Sequence, residues 1–165
     1  MDQLSGYAHR PFPFVMRYLR KRPASHLVIL SAVVGAVACS VGTQYGVKFL
    51  VDSLSAGPAG IGQVWTAFVV LMTLIATDNI LWRVASWTAS FTFVRVTGDL
   101  RRDIFRHLPG HSPSYFGDLL PGMLSSRITA TSNAVFTVEN MFVWNVLPPC
   151  LATVAAIGLI GTVSE

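Results

Sequence analysis

The chain has 165 residues, 52% of them apolar and only 12% charged, with a formal net charge of +4. Soluble domains average about 45–50% apolar and about 25% charged residues, so this composition excludes an ordinary water-soluble domain and points to a membrane protein. The positive balance is no argument for nucleic acid, because the cations cluster beside apolar runs, where they act as topology signals.

The first element is short. Pro11-Phe12-Pro13-Phe14 leads into a segment that ends at Pro23. Phe14, Val15, Tyr18 and Leu19 fall on one helical face, and Arg17, Arg20 and Lys21 take the others. The pattern predicts an amphipathic helix lying in the headgroup plane, its cations near anionic lipid. Pro23 separates it from the first apolar stretch.

Three uncharged, mostly apolar stretches come next, from Leu27 to Val47, Leu54 to Thr77 and Met141 to Val163. Each can cross a bilayer, since ~20 residues at about 1.5 Å per residue cover a hydrocarbon core of roughly 30 Å. In the first stretch Gly35, Cys39, Gly42 and Gly46 form a stripe of small residues that permits close helix packing, with Gly42 and Gly46 as a GxxxG pair. Gln44 and Tyr45 lie in its outer half, and Lys48 and Asp52 can pair one turn apart beyond it. Ala36-Val37-Ala38-Cys39 has the look of a signal-peptide cleavage site, but the apolar run continues to Val47, longer than secretory cores of about 7–15 residues. Cys39 and Cys150, the two cysteines, both sit inside proposed spans and offer no disulfide framework or metal spacing.

Lys and Arg set the orientation. The N-terminal segment carries Arg10, Arg17, Arg20, Lys21 and Arg22, and the segment after the second span carries Arg95, Arg101, Arg102, Arg106 and Arg127. Both are expected on the cytoplasmic side of the cell membrane, which puts the N-terminus inside and the chain's end outside. An odd number of spans implies a chain that stops partway through a larger unit, as a fragment or a truncated gene product.

The second span comes after the turn signal Gly57-Pro58-Ala59-Gly60. From Val64 no proline interrupts the helix until Pro109, a run of about 45 residues and roughly 67 Å. The bilayer takes about half, so ~35 Å projects into the cytoplasm. Its inner part alternates charge, with Asp99 set against Arg102 and Asp103 against Arg106. Asp78, Asn79 and Arg83 lie within or just below the membrane part. Asn79 and Arg83 share a face and Asp78 points elsewhere. Such groups at depth contact another helix or line a cavity, and with Gln44 and Tyr45 they are the candidate substrate wall.

Pro109-Gly110 ends the long helix. Ser112 then reads as an N-cap with Pro113 at the first helical position, and Ser114, Tyr115, Phe116, Gly117 and Asp118 come before Pro121-Gly122. A second long helix starts near Met123 and runs to Val163, about 60 Å, loosened or bent at Pro148-Pro149. An aromatic pair on a short helix this far from lipid is expected to dock into a partner. His107 and His111 are separated by Pro109-Gly110 and make no metal site.

The stretch Gly98-Asp99-Leu100-Arg101-Arg102, then His107-Leu108-Pro109, Ser114-Tyr115-Phe116 and Gly122-Met123-Leu124-Ser125-Ser126-Arg127-Ile128 resembles the first intracellular hairpin of ATP-binding cassette (ABC) exporters. Where members of that family often carry an acidic residue after the glycine and an Asp nine positions on, this chain has Met123 and Thr131. The resemblance implies an all-α membrane protein: an elbow helix within residues 1–25, then part of a transporter membrane domain over 26–165. Its spans would cover about 26–53, 63–108 and 122–163, with a coupling helix at about 112–119. It also implies that Ser112, Ser114, Tyr115, Phe116, Gly117 and Asp118 contact a nucleotide-binding domain whose closure reorients the membrane helices. The partners implied are the bilayer, that domain, the remaining transmembrane helices and a second transporter half, with no nucleic acid. No G-x-x-x-x-G-K-[ST] stretch is present. This chain is therefore expected to be no enzyme and to bind no cofactor, ATP and Mg²⁺ belonging to the separate domain. The alternatives are a membrane sensor or anchor signalling to a soluble effector, and an intramembrane enzyme using Asp78.

Overall fold

A computed structural model of the chain describes residues 11–55, 61–107 and 121–163. Their regular structure is entirely helical: α1 (Pro11–Leu19), α2 (Pro23–Ser55), α3 (Ile61–His107), α4 (Pro121–Met141), a π-helical segment (Phe142–Val146) and α5 (Leu147–Val163).

Local chemistry accounts for the boundaries. Between α1 and α2 the chain turns through short backbone hydrogen bonds, Lys21 N–H to Tyr18 O at 3.1 Å and Arg22 N–H to Leu19 O at 3.2 Å. Pro23 then opens α2 at the first helical position, where its missing N–H costs nothing. The π-helical turn stands where the prolines demand it. Pro148 and Pro149 cannot donate to the carbonyls of Trp144 and Asn145, four residues back, and both of those residues lie in the π segment. The bend expected at Pro148-Pro149 is thus taken up one turn earlier, as a change of helical register.

Among the described residues three helical stretches are long and apolar enough to cross a membrane: Pro23–Ser55, Ile61–Arg106 and Gly122–Gly158. Large apolar side chains stand exposed along them, among them Leu27, Trp65, Val69, Met72 and Ile157. That surface suits lipid and not water, as expected of a membrane protein.

The chain divides into two compact units, one of residues 1–27 and 89–142, the other of residues 28–88 and 143–165. In the first, α1 packs against α3 and α4. Tyr18, Val96, Leu100 and Val135 form its buried core, with Phe14, Val15 and Ile104 against it. Phe14 meets Tyr18 edge to face at 5.3 Å, and Phe93 meets Phe136 the same way at 6.1 Å. The α1 face expected to lie among lipid headgroups therefore packs in part on protein, through Phe14, Val15 and Tyr18. Tyr18, its largest member, is 1% exposed.

In the second unit α2 and α3 run antiparallel. Gly35, Gly42 and Gly46 stand against Leu81, Leu74 and Leu71. Hydroxyl side chains along these helices donate to their own helix's carbonyls, as Thr43 does to Cys39 O at 2.9 Å and Thr73 to Val69 O at 2.8 Å, so they need no water. Trp82 of α3 lies 6.0 Å from Trp144 of the π segment.

Candidate functional site

The four small residues of the α2 stripe have different surroundings. A Cβ at Gly35 would come within 3.0 Å of Leu81 Cδ1, and one at Gly46 within 3.1 Å of Leu71 Cδ1. At Gly42 the nearest atom, Leu74 Cδ2, would be at an ordinary 3.6 Å. Cys39 is half-buried with a free thiol.

The α3 residues that meet this stripe are spaced at helical intervals, and Asp78 falls among them, between Leu74 and Leu81. Its Oδ1 is buried and has no hydrogen-bond partner among the described residues. Asn79 is exposed and returns its amide to Ile75 O at 2.8 Å, which satisfies it within its own helix. Arg83 is exposed one turn further along. Gln44 and Tyr45, also exposed, belong to a different level. The register that sets Gly46 against Leu71 and Gly35 against Leu81 places them roughly 9–17 Å along the helix axes from Asn79 and Arg83, at about 1.5 Å per residue. The structure brings Asp78, Asn79 and Arg83 to one level of α3 and leaves Gln44 and Tyr45 apart from them. Lys48 and Asp52 are exposed and form no ion pair among the described residues.

A denser polar arrangement sits at the α1–α2 junction. Lys21 Nζ lies 2.8 Å from Asp103 Oδ2, and Arg22 Nη2 lies 3.0 Å from Asp99 Oδ2. Arg102 reaches the second Asp99 oxygen at 3.5 Å. The expected pairing of Asp103 with Arg106 inside α3 gives way to a pairing with Lys21. The Lys21 ammonium also stands 4.6 Å from the centroid of the Tyr18 ring. Burial pushes the Tyr18 phenol up to about 12, with the neighbouring Asp103 carboxylate adding to the effect.

One turn on, His26 Nδ1 lies 2.9 Å from Arg22 O, and Nε2 faces Glu139 Oε1 of α4 at 3.6 Å. Neither His26 nor Glu139 stands out from spacing alone. The available signal is position: each lies just outside an uncharged stretch, His26 before Leu27 and Glu139 two residues before Met141. Among the described residues no group of three potential ligands could hold a metal ion.

Ser112, Ser114, Tyr115, Phe116, Gly117 and Asp118, the expected coupling residues, lie outside the described residues. No family model matches the chain, and no curated protein or solved structure matches it.

Proposed function

We propose that this chain supplies the first membrane-spanning helices of an ATP-driven exporter of the ABC type, set in the cell membrane with its N-terminus in the cytoplasm. In this reading α1 is the elbow helix, and the segment around Tyr115 and Phe116 receives the push of a separate nucleotide-binding domain. Asp78, Asn79 and Arg83 lie on the side of the substrate path, which further transmembrane helices and a second transporter half complete. ATP and Mg²⁺ belong to the partner domain.

The length of α3 carries the reading. Its 47 residues extend about 70 Å, while the hydrocarbon core needs roughly 30 Å. A helix that only anchors a protein has no use for the remaining ~40 Å, whereas a stiff rod can transmit rigid-body motion from a domain outside the membrane. The cations of residues 95–106 support a cytoplasmic position for this excess.

Cysteine accessibility tests the geometry. With Cys39 and Cys150 changed to Ser, a Ser114→Cys variant is expected to react with a membrane-impermeant maleimide in inverted vesicles and not in intact cells. Labelling in intact cells overturns the proposal.

A further inference from the structure

One nitrogen of the His26 ring is already committed. Nδ1 sits 2.9 Å from the Arg22 carbonyl oxygen, which can only accept, so Nδ1 carries a hydrogen and donates it. In a neutral ring that leaves Nε2 as a bare acceptor. Opposite it, 3.6 Å away, is Glu139 Oε1, another acceptor when the carboxyl is ionised. The Glu139 side chain is 2% exposed, and neither of its oxygens, nor His26 Nε2, has a hydrogen-bond partner among the described residues. Two acceptors aimed at each other out of reach of water are costly. A single added proton removes the conflict. On Nε2 it makes an imidazolium facing a carboxylate, and on Oε1 it makes a carboxylic acid donating to the ring.

We propose that His26 and Glu139 form a proton-binding site that holds one proton between Nε2 and Oε1 at neutral pH and so fastens the beginning of α2 to the end of α4. The surrounding charges leave this pair to itself. On the His26 side, the Arg22 guanidinium is engaged by Asp99 at 3.0 Å. The α3 carboxylates of the junction are occupied as well, Asp99 by Arg22 and Arg102, and Asp103 by Lys21. From α4 the facing group is Glu139. His26 keeps 17% of its side-chain surface exposed, against 2% for Glu139, while the facing atoms Nε2 and Oε1 are both buried. The site rests on the fold of this unit alone and stands whether or not the chain serves an exporter.

Ring ¹⁵N NMR of histidine-labelled protein in phosphatidylcholine nanodiscs reads the proton directly, with His26→Gln assigning the signal. At neutral pH we expect His26 to have both ring nitrogens protonated. In Glu139→Gln the side-chain amide donates to Nε2 in place of the proton, and the ring is expected to become neutral with its hydrogen on Nδ1. A neutral wild-type ring together with a carboxylic-acid infrared band that disappears in Glu139→Gln puts the same proton on the glutamate and also supports the site. A neutral wild-type ring without that band overturns it.

Discussion

Gly46 of α2 and Leu71 of α3 approach so closely that a Cβ on the glycine would lie 3.1 Å from Leu71 Cδ1 and 3.7 Å from Leu71 Cα. Lipid is as apolar as leucine, so helices in a bilayer associate through close packing and not through burial from water. Small residues facing leucines supply that packing here. Gly46→Leu is expected to force the helices apart and lower stability by about 1–3 kcal/mol, the usual cost of overpacking. Gly158→Leu, at a position with nothing within 4 Å among the described residues, should leave the unfolding midpoint unchanged. Thermal unfolding in detergent, monitored by circular dichroism, separates the two. Equal midpoints would show that the α2–α3 contact does not depend on the glycine.

Tyr18 presents the opposite case, a large side chain in a tight place. It is 1% exposed among Val96, Leu100 and Val135, and its hydroxyl is buried without a hydrogen bond of good geometry. Tyr18→Ala should cost about 3–5 kcal/mol, the range for deleting a buried aromatic ring. Tyr18→Phe keeps the ring and removes the poorly satisfied hydroxyl, so it should be neutral or slightly stabilising. Unfolding of both variants by chemical denaturant checks the order. A Phe variant as damaged as the Ala variant would mean that the hydroxyl, and not the ring, holds α1 in place.

The same residue gives a pH prediction. The Tyr18 phenol ionises near 12 in the folded chain and near 10.0 in the unfolded one, chiefly because burial disfavours the phenolate. The unfolded chain therefore gives up this proton first as pH rises. The stability it contributes is complete below about 10 and is lost as pH climbs through about 12. Ultraviolet titration should show a late tyrosine ionisation, and Tyr18→Phe should remove that late step.

Much of this architecture was legible because uncharged runs announce membrane helices without reference to anything else in the chain. The length of α3 came from the lack of proline before Pro109, and the break at Pro23 from the chemistry of that residue. Helical periodicity states which residues share a face, but not what covers it. Hence the face of Phe14 and Tyr18 has the pattern of a lipid-facing surface, whereas its neighbours are Val96, Leu100 and Val135. Near-neighbour helical geometry, all that a sequence offers, sets Asp103 against Arg106, whereas its partner in the fold is Lys21, 82 positions away. Glu139 carries no local signal for the same reason, since its partner is His26 across the fold.

The polar residues of α3 separate two roles for Arg83. Asn79 is satisfied by Ile75 O, while Arg83 stands exposed on the same face. A guanidinium kept at membrane depth commonly meets a partner or a cavity. If it lines the proposed substrate path, Arg83→Ala in the assembled transporter should change the relative transport of anionic and cationic substrates several-fold, with membrane expression unchanged. Loss of the folded protein would instead make Arg83 a structural contact.

The proposed coupling is tested most directly at Tyr115 and Phe116. A partner domain can drive membrane helices only through a contact that does not slip, and an aromatic pair supplies one by filling a pocket. Truncating either ring changes no residue of α3 or α4. Tyr115→Ala and Phe116→Ala, made in the assembled transporter, are therefore expected to leave ATP hydrolysis and membrane expression near wild-type levels while transport per ATP falls at least several-fold. Measuring hydrolysis and substrate flux in the same proteoliposomes gives that ratio. An unchanged ratio in both variants would take the coupling role away from this segment, because nothing else in the contact would then depend on the aromatic pair.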